Sequence, residues 1–411
     1  MAGPDVTVDD VRRAREVVDG VIQRTPMLPA IALSEEVGGD VVYKAENLQR
    51  TGSFKLRGAL AKIAALGEGA AGGVVTGSAG NHGQALAFAA RHAGVPCEIA
   101  VPVGAPVTKV EACRSYGATV HEVGVSLAEA VAFARSIADE RGLAFCPPFD
   151  DPHVVAGQGT LGLEVFDDVA DLSSVVVPLG GGGLAAGAAI AIKSLRPNVE
   201  VIGVQASACA PYAGDEPPTG EVVTLADGIA VKYPGHVTGP LIDRWLDRIV
   251  TVDEDSIADA MITLMERSKL YSEGAGAVGV AALRSGAVRP APSGRTCVIL
   301  SGGNVDLGVV PGLIRRHEHA SGRRLRVFAR IDDRPGCLAR LLDAFASCGA
   351  DLIEVEHIRD GLDLHVRETG VNASFAVRGR EHGDRCLASA LAAGFEVYRA
   401  DEPRGRVEVH S

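Results

Sequence analysis

The chain of 411 residues has a formal net charge of −12, with 47% hydrophobic and 22% charged residues. That length suits two or three domains with sizeable cores, and the acidic balance without lysine-rich tracts excludes a typical nucleic-acid partner. No stretch approaches the roughly 18 apolar residues of a membrane span, and the N-terminus lacks the apolar segment of a secretory signal. The eight cysteines show no metal-ligand spacing. We therefore expect a cytoplasmic protein that acts on a small molecule, without a membrane partner and without a metal.

The first three quarters of the chain alternate short Val/Ile runs with Ala-rich helical stretches, from Val8 to about Ile314. This rhythm predicts a doubly wound α/β fold. Strand candidates that end in small-residue turns are Gly73–Thr76, Glu98–Val101, Ser174–Val177, Val199–Val204 and Cys297–Leu300.

The first segment of chemical interest is QRTGSFKLRG, residues 49–58, which contains Lys55. Thr51 or Ser53 is predicted to cap a helix whose apolar stripe, beginning at Leu56, is buried. Lys55 then lies beside the buried face at the helix start, where desolvation and the helix dipole lower an amine pKa, as a Schiff-base lysine requires. The alternative, a solvated surface lysine, stays open at this point.

The next segment, residues 72–94, predicts a β-branched strand, a turn of small residues and a helix that begins near Asn81. Ser78, Ala79 and Gly80 let backbone amides approach a ligand closely, and a helix N-terminus favours a carboxylate or a phosphate. This loop is therefore a candidate anion site. A plain strand-to-helix turn with Ser78 as the helix cap is the structural alternative.

Four consecutive glycines, Gly180 to Gly183, separate a Val-rich strand from an Ala-rich helix. Such a run is typical of a backbone that cradles phosphate oxygens, and a flexible linker is the alternative. Gly180, Gly182 and Ala185 also satisfy the GxGxxA pattern of a dinucleotide site. That site needs an acid at the end of the following strand, where this chain has Gln205.

The third loop, SGGNVD, follows the strand at Cys297–Leu300 and contains Ser301, Gly302 and Gly303. Three small-residue loops at the carboxyl ends of strands fit a single crevice at a switch point of one parallel sheet. We expect them to share one ligand.

A different rhythm begins after RRHEHASGRR, residues 315–324, which reads as a linker. Strands are predicted at Leu325–Arg330, Leu352–Ile358, Ala373–Arg378 and Phe395–Arg399, and helices at Cys337–Ser347 and Arg385–Ala393. The order βαββαβ predicts a ferredoxin-like domain.

Taken together, ENLQRTGSFKLRGA, SAGNHGQALA, GGGGLAAG and SGGNVD resemble the pyridoxal-phosphate enzymes of the tryptophan-synthase β fold (fold type II), and among them the threonine dehydratases, or threonine ammonia-lyases. The tail, with IDDRPGCLARLLDAF, resembles the ACT-like regulatory domain attached to many of them. The resemblance implies a catalytic domain over 1–317, with a small subdomain of about 41–147 inserted in it, a linker over 318–323 and an ACT-like domain over 324–411.

The resemblance also implies residue roles. Lys55 would form the Schiff base with pyridoxal 5'-phosphate and then move protons. The remaining cofactor contacts would be Phe54 beside the ring, Asn81 at the 3'-oxygen, Ser301 at the pyridine nitrogen, and the amides of Gly180, Gly181, Gly182, Gly183 and Leu184 at the phosphate. The substrate carboxylate would bind at Ser78, Ala79, Gly80 and Asn81.

The implied reaction is the conversion of L-threonine to 2-oxobutanoate and ammonia, with L-serine giving pyruvate, and with a place in isoleucine biosynthesis. Serine dehydratases and serine racemases of the same fold are alternatives, but racemases carry a second acid/base serine where this chain has Ala79, so dehydration should dominate. A dinucleotide-dependent oxidoreductase and a catalytically inactive amino-acid sensor are further alternatives. Glu273 resembles an acidic position that lines the family's site, with a solvated helix-end charge as its alternative. Asp227 precedes Gly228, which the resemblance places either over the cofactor ring or near a cation site of some relatives.

In the ACT-like region, DDRPG precedes a helix, and Pro335 stiffens a turn whose amides suit an amino-acid carboxylate. We expect an amino-acid effector there, isoleucine or valine first, with a plain turn that serves oligomer contacts as the alternative. The resemblance implies a homodimer or a homotetramer.

Overall fold

The computed structural model describes residues 5–359 and 364–400, and internal contacts divide the chain into one unit that ends at Asp306 and a second that starts at Leu307. The helices of the first unit are α1 (Val8–Val18), α2 (Ile31–Val37), α3 (Lys55–Leu66), α4 (Asn81–Ala93), α5 (Val107–Ser115), α6 (Leu127–Arg141), α7 (Pro152–Asp168), α8 (Gly183–Leu195), α9 (Thr238–Trp245), α10 (Glu254–Thr263) and α11 (Gly274–Arg284). Its strands are β1 (Met27–Pro29), β2 (Val41–Ala45), β3 (Val74–Gly77), β4 (Cys97–Val101), β5 (Thr119–Glu122), β6 (Ala144–Phe145), β7 (Leu172–Pro178), β8 (Glu200–Ala206), β9 (Arg248–Val252) and β10 (Arg295–Leu300).

The larger sheet of this unit has six strands in the order β1-β2-β10-β7-β8-β9. β1 is antiparallel to β2, and all other neighbours are parallel. Its central strands, β7 and β10, are almost wholly buried, as expected for a parallel sheet covered by helices on both faces. The five strands predicted from the sequence are confirmed, with ends displaced by at most two residues.

The smaller sheet has four parallel strands in the order β5-β4-β3-β6. The predicted inserted segment of about 41–147 contains this sheet, but its first strand, β2, pairs with β10 in the larger sheet. The three glycine-bearing loops therefore come from two sheets, since β3 belongs to the smaller one whereas β7 and β10 are neighbours in the larger one. The expectation of a switch point in a single sheet was wrong, because strand order is set by long-range pairing that local patterns do not contain.

The second unit contains the helices α12 (Val310–Ala320), α13 (Cys337–Ala346) and α14 (Arg380–Ala392), and the strands β11 (Arg324–Asp332), β12 (Asp351–Ile358), β13 (Glu368–Ala376) and β14 (Glu396–Arg399). The sheet is antiparallel in the order β12-β13-β11-β14. This arrangement confirms the predicted βαββαβ ferredoxin-like fold. Phe345 and Phe375 stack in its core with ring centroids 4.3 Å apart.

Two features of this unit differ from the predicted boundaries. β13 and α14 each begin five residues earlier than expected. Gly370 and Gly383 weaken the strand and helix patterns in the sequence at these starts, but tertiary packing holds both segments in regular structure. Helix α12 extends to Ala320 and so covers the first part of the segment predicted as a linker.

Within the described ranges, none of the helices combines the length and the apolar character needed to cross a membrane.

Candidate active site

Lys55 lies at the start of a helix that has no side-chain cap. Lys55 is the first residue of α3, and Phe54 occupies the N-cap position without a capping hydrogen bond. The predicted cap was wrong: among the described residues, the buried hydroxyls of Thr51 and Ser53 have no hydrogen-bond partner. The reason is that this segment pairs with the end of β10, where the Phe54 N–H donates to the Ser301 carbonyl at 3.1 Å.

The Lys55 amine is withdrawn from bulk solvent. Its Nζ donates to the carbonyl of Pro148 at 2.9 Å and lies 5.0 Å from the centroid of the Phe54 ring. Burial lowers the pKa of Lys55 to about 8, while the charge of Glu273 acts in the opposite direction. A substantial fraction of the amine is therefore neutral near physiological pH, which is the nucleophilic form, and the alternative of a solvated surface lysine does not hold.

The four-glycine segment is a packed turn between β7 and α8. Gly182 has φ of 91°, and α8 begins at Gly183. A Cβ on Gly181 would lie 2.3 Å from the Phe149 ring, and a Cβ on Gly180 would lie 2.7 Å from the Cα of Ile229. The turn is closely packed, so the flexible-linker alternative is excluded. The amides at the start of α8 are at a helix N-terminus, which is suited to an anion.

Residues 148 and 149 connect the amine to this turn. The Pro148 carbonyl accepts from Lys55, and the next side chain, Phe149, packs against Gly181 and Gly183. The lysine and the glycine turn thus meet on either side of a two-residue segment. This is the proximity that a phosphate-bearing aldehyde bound to Lys55 requires.

Asn81, the first residue of α4, belongs to a chain of side-chain hydrogen bonds. Its Nδ2 donates to Glu273 Oε1 at 2.7 Å, and its Oδ1 accepts from Asn304 Nδ2 at 2.8 Å. These two contacts set the orientation of the Asn81 amide. Since an amide nitrogen carries two N–H groups, a second one is left for a ligand.

The loop before α4 places Ser78 differently from a helix cap. Its hydroxyl accepts from the Gly80 N–H at 3.3 Å, and its own N–H donates to the Ala100 carbonyl at 3.0 Å. Gly80 is the N-cap of α4 and makes no side-chain capping bond. The structural alternative with Ser78 as the cap is thus excluded, and the first amides of α4 face the loop that the sequence predicts to bind a carboxylate.

The third loop completes the site. Ser301 follows β10 and is 2% exposed, and the carbonyl of the next residue, Gly302, accepts from the Glu273 N–H at 3.0 Å. A Cβ on Gly302 would lie 2.4 Å from Glu273 Oε1 and 3.2 Å from Asn81 Nδ2. The loops after β3 and β10, which belong to different sheets, therefore converge on Glu273.

Glu273 is buried, with 6% of its surface exposed, so the alternative of a helix-end charge in water does not hold. Burial raises the pKa of Glu273 to about 7, and the charge of Asp227 adds to this effect, whereas Asn81, Lys109 and Lys55 oppose it. The Asp227 side chain is exposed and forms an ion pair with Lys109 at 3.1 Å.

Replacing Glu273 with glutamine should flatten the pH dependence of stability. The folded state binds the Glu273 proton up to a pKa of about 7, whereas the unfolded chain releases it near 4.5. Stability therefore falls as pH rises through this window, by at most about 3 kcal/mol, and E273Q should lose that slope. Urea unfolding of the cofactor-free protein across the window measures it, with the exposed Glu68→Gln as control. Equal slopes in E273Q and the unmodified chain would contradict the assignment.

Several residues of the site were missed from the sequence. Asn304 lies inside SGGNVD and was available as a motif residue, whereas Pro148 acts through its carbonyl and leaves no sequence signal. Lys44 and Glu46 are charged residues beside a Val-rich, buried strand. Charges in such a position indicate buried ion pairs, and this signal was missed from the sequence.

The dinucleotide alternative also fails on geometry. Gln205 stands at the carboxyl end of β8 and accepts from the Tyr212 N–H at 3.0 Å. The acid of this strand, Glu200, is at its other end and pairs with Arg248 of β9 at 2.7 Å. Neither side chain is placed to hold a ribose next to the glycine turn.

A mostly parallel six-stranded sheet, a smaller inserted sheet and a desolvated lysine close to a glycine turn define a class of cofactor-dependent enzymes. Residues 18–302 match the family model described as "Pyridoxal-phosphate dependent enzyme". The chain belongs to this family, with the type II fold, and its cofactor is pyridoxal 5'-phosphate.

Three named proteins are similar to this chain over most of their length. L-threonine ammonia-lyase of Thermotoga maritima is 40% identical over 399 residues, which cover 95% of this chain and 99% of that protein. The crystal structure of the T.th. threonine deaminase has a TM-score of 0.69 and 36% identity, and the match covers 73% of this chain and 99% of that one. Maize serine racemase has a TM-score of 0.71 and 31% identity, with 77% and 98% covered.

The residues present fit the cofactor. A Cβ on Gly180, Gly181 or Gly182 would collide with neighbouring residues, so only glycine leaves these backbone amides open to a phosphate. The Ser53 hydroxyl, beside the end of β10, is buried without a partner among the described residues. A buried hydroxyl without a partner is costly unless a ligand satisfies it. The neutral fraction of the Lys55 amine supplies the nucleophile that an aldehyde needs.

Proposed function

We propose that this protein converts L-threonine to 2-oxobutanoate and ammonia, and L-serine to pyruvate and ammonia as a secondary activity. The single observation that carries the proposal is the Lys55 amine, desolvated and hydrogen-bonded to Pro148 one residue before the ring that packs on the glycine turn. The similarity to L-threonine ammonia-lyase over nearly the whole chain supports this reaction.

In this proposal Lys55 holds the cofactor aldehyde and later moves the proton between the substrate Cα and the departing hydroxyl. The amides of Gly180 to Leu184 bind the cofactor phosphate, and Phe54, Asn81 and Ser301 contact its ring. Bound there, pyridoxal phosphate supplies an electron sink for the Cα–H bond electrons. The substrate carboxylate is held by the Ser78 to Asn81 loop at the start of α4.

Ser301 favours elimination over reactions that need a long-lived carbanion. A serine hydroxyl at the pyridine nitrogen leaves that nitrogen close to neutral, which weakens the electron sink compared with a carboxylate partner. The β-hydroxyl can then leave as the Cα proton departs. Breaking the Cα–H and Cβ–O bonds releases one water molecule, and hydrolysis of the resulting imine releases ammonia.

The direct test is oxoacid formation by the purified holoenzyme from L-threonine and from L-serine. We expect both to react, with a higher kcat/KM for L-threonine. A visible spectrum separates the remaining alternatives, since a Schiff base of the cofactor is yellow and a bound nicotinamide is not. A yellow protein that forms no oxoacid from either amino acid would instead support the catalytically inactive sensor.

Serine racemization is the second candidate, because a serine racemase is among the similar structures. Ala79 packs its methyl group against the apolar core below α4 and has no group that could return a proton from that side of the cofactor. We expect Ala79→Ser to raise D-serine formation from L-serine while lowering the ratio of pyruvate to D-serine. Chiral chromatography measures both products, and Ala105→Ser, at another partly buried alanine of the same core, is the control. Unchanged D-serine formation in A79S would contradict the role given to this position.

The second unit is proposed to be an ACT-like regulatory domain that binds a free amino acid, isoleucine or valine first. Its ferredoxin-like fold supports this. The threonine deaminase match covers almost all of that protein but only 73% of this chain, so this chain has additional residues beyond that match. Deleting residues 320–411 should abolish any response of the lyase to these amino acids; a response that survives the deletion would place the effector elsewhere.

Three further properties stay predictions: the domain limits, a homodimeric or homotetrameric state, and a cytoplasmic location. Light scattering measures the oligomeric state, and cell fractionation measures the location.

A further inference from the structure

Four charged side chains form a closed cluster beneath the start of α3. The side chains of Lys44, Glu46, Arg57 and Glu164 are between 0% and 5% exposed. The two cations balance the two carboxylates. The cluster joins β2, the turn after it, α3 and α7, so it lies where the two sheets of the first unit are connected.

Arg57 is the centre of this cluster. It donates to Glu46 at 2.8 and 2.9 Å, to Glu164 at 2.7 and 3.0 Å and to Thr160 Oγ1 at 3.1 Å. These contacts use all five N–H groups of a guanidinium. Lys44 adds a hydrogen bond to the second carboxylate, since its Nζ donates to Glu164 at 2.5 Å. It also donates to the Thr25 carbonyl at 2.7 Å.

Arg57 lies two residues after Lys55 in the first turn of α3. Positions two apart are about 200° apart around a helix, so the two side chains leave α3 in nearly opposite directions, Lys55 toward Pro148 and Arg57 toward α7. The same turn receives a second contact from α7, because the Gly58 N–H donates to Gln158 Oε1 at 3.2 Å. The Gly58 contact gives one backbone amide of this turn a side-chain acceptor, although α3 has no side-chain bond at its N-cap.

A gain in folding stability does not explain why these charges are buried together. Buried ion pairs recover little more than their desolvation cost, and apolar residues of similar size are often as stable or more stable. The two bidentate pairs instead fix the orientation of the Arg57 side chain, because the planar fork of an arginine fits carboxylates in one orientation only. A shift or rotation of the first turn of α3 would break these hydrogen bonds together.

We propose that Arg57 is a positioning residue: through Glu46 and Glu164 it fixes the first turn of α3 and thereby holds the Lys55 amine at the Pro148 carbonyl, next to the glycine turn. The proposal rests on the role given to Lys55 under the proposed function. It concerns the geometry of the amine and requires no contact of Arg57 with substrate or cofactor.

The test uses two full-length variants. Arg57→Lys keeps the charge but loses the fork, and the double variant R57M/E46Q removes one charge of each sign so that the cluster stays neutral. For each, the rate at which cofactor-free protein captures pyridoxal phosphate is followed by visible absorbance as a function of pH, together with the unfolding midpoint and the kcat and KM for L-threonine.

We expect both variants to fold, with capture slowed roughly tenfold or more, as a displaced reacting group predicts. The pH midpoint of capture should rise from the value of about 8 for Lys55 toward that of an ordinary lysine, and kcat should fall more than KM changes. Lys62→Met is the matched control, since Lys62 also joins α3 to α7, through Asp151 at 2.5 Å, but far from the first turn. It should change the unfolding midpoint and leave capture unaltered.

Capture rate and pH midpoint equal to those of the unmodified chain in either folded variant would overturn the proposal. So would failure of both variants to fold, since the cluster would then serve stability, and so would an equal effect of K62M. If the unmodified chain itself captures cofactor but forms no oxoacid, the proposed function fails while the positioning role is still decided by the capture data.

Discussion

Replacing Lys55 with alanine is expected to abolish oxoacid formation from both L-threonine and L-serine. The variant lacks the amine that is proposed to hold the cofactor and to move the proton, so kcat/KM should fall by roughly a thousandfold or more, as when other covalent catalytic groups are removed. The yellow colour of the Schiff base should disappear as well. Absorbance spectra and an oxoacid assay at saturating cofactor measure the two effects.

Lys193→Ala is the matched control for this substitution. Lys193 is near the C-terminal end of α8, away from the glycine turn at its start, and pairs with Asp247 at 2.5 Å. A partly exposed ion pair of this kind contributes about 1 kcal/mol or less. Its colour and turnover should equal those of the unmodified protein. A K55A protein that still turned over L-threonine would end the assignment of Lys55.

Replacing Gly181 with alanine is expected to weaken cofactor binding strongly. The new Cβ would lie 2.3 Å from the Phe149 ring, so either the ring or the turn must move. Movement of the turn displaces the amides of the proposed phosphate site, and movement of residue 149 disturbs the adjacent Pro148 carbonyl that accepts from Lys55. We expect the Kd for pyridoxal phosphate to rise by roughly tenfold or more, which corresponds to about 1.4 kcal/mol per factor of ten.

Equilibrium dialysis of cofactor-free protein measures this change. Gly69→Ala is the control, because a Cβ there meets nothing within 4 Å and its φ lies outside the left-handed region. If G181A bound the cofactor as tightly as the unmodified chain, the turn would not be the phosphate site, whatever the variant did to turnover.

Local sequence determined much of this protein. The strands β7, β8 and β10 follow from Val- and Ile-rich runs, and the turns after them from glycine, whose freedom at positions such as Gly182 is a property of the residue itself. The βαββαβ order of the second unit followed from the spacing of its apolar residues, because period and turn chemistry are short-range properties. Motif residues such as Lys55, Asn81 and Ser301 could be selected as candidates for the same reason.

Only the tertiary structure decided which of these residues meet. Asn81 binds Glu273, which is 192 positions away, and Lys55 binds a backbone carbonyl 93 positions away. The capping prediction for Thr51 or Ser53 failed because pairing with the end of β10 displaced a local interaction. The order of strands and the burial of Lys44, Glu46, Arg57 and Glu164 depend on contacts between distant segments, and the desolvation that shifts the pKa of Lys55 exists only once those segments have packed.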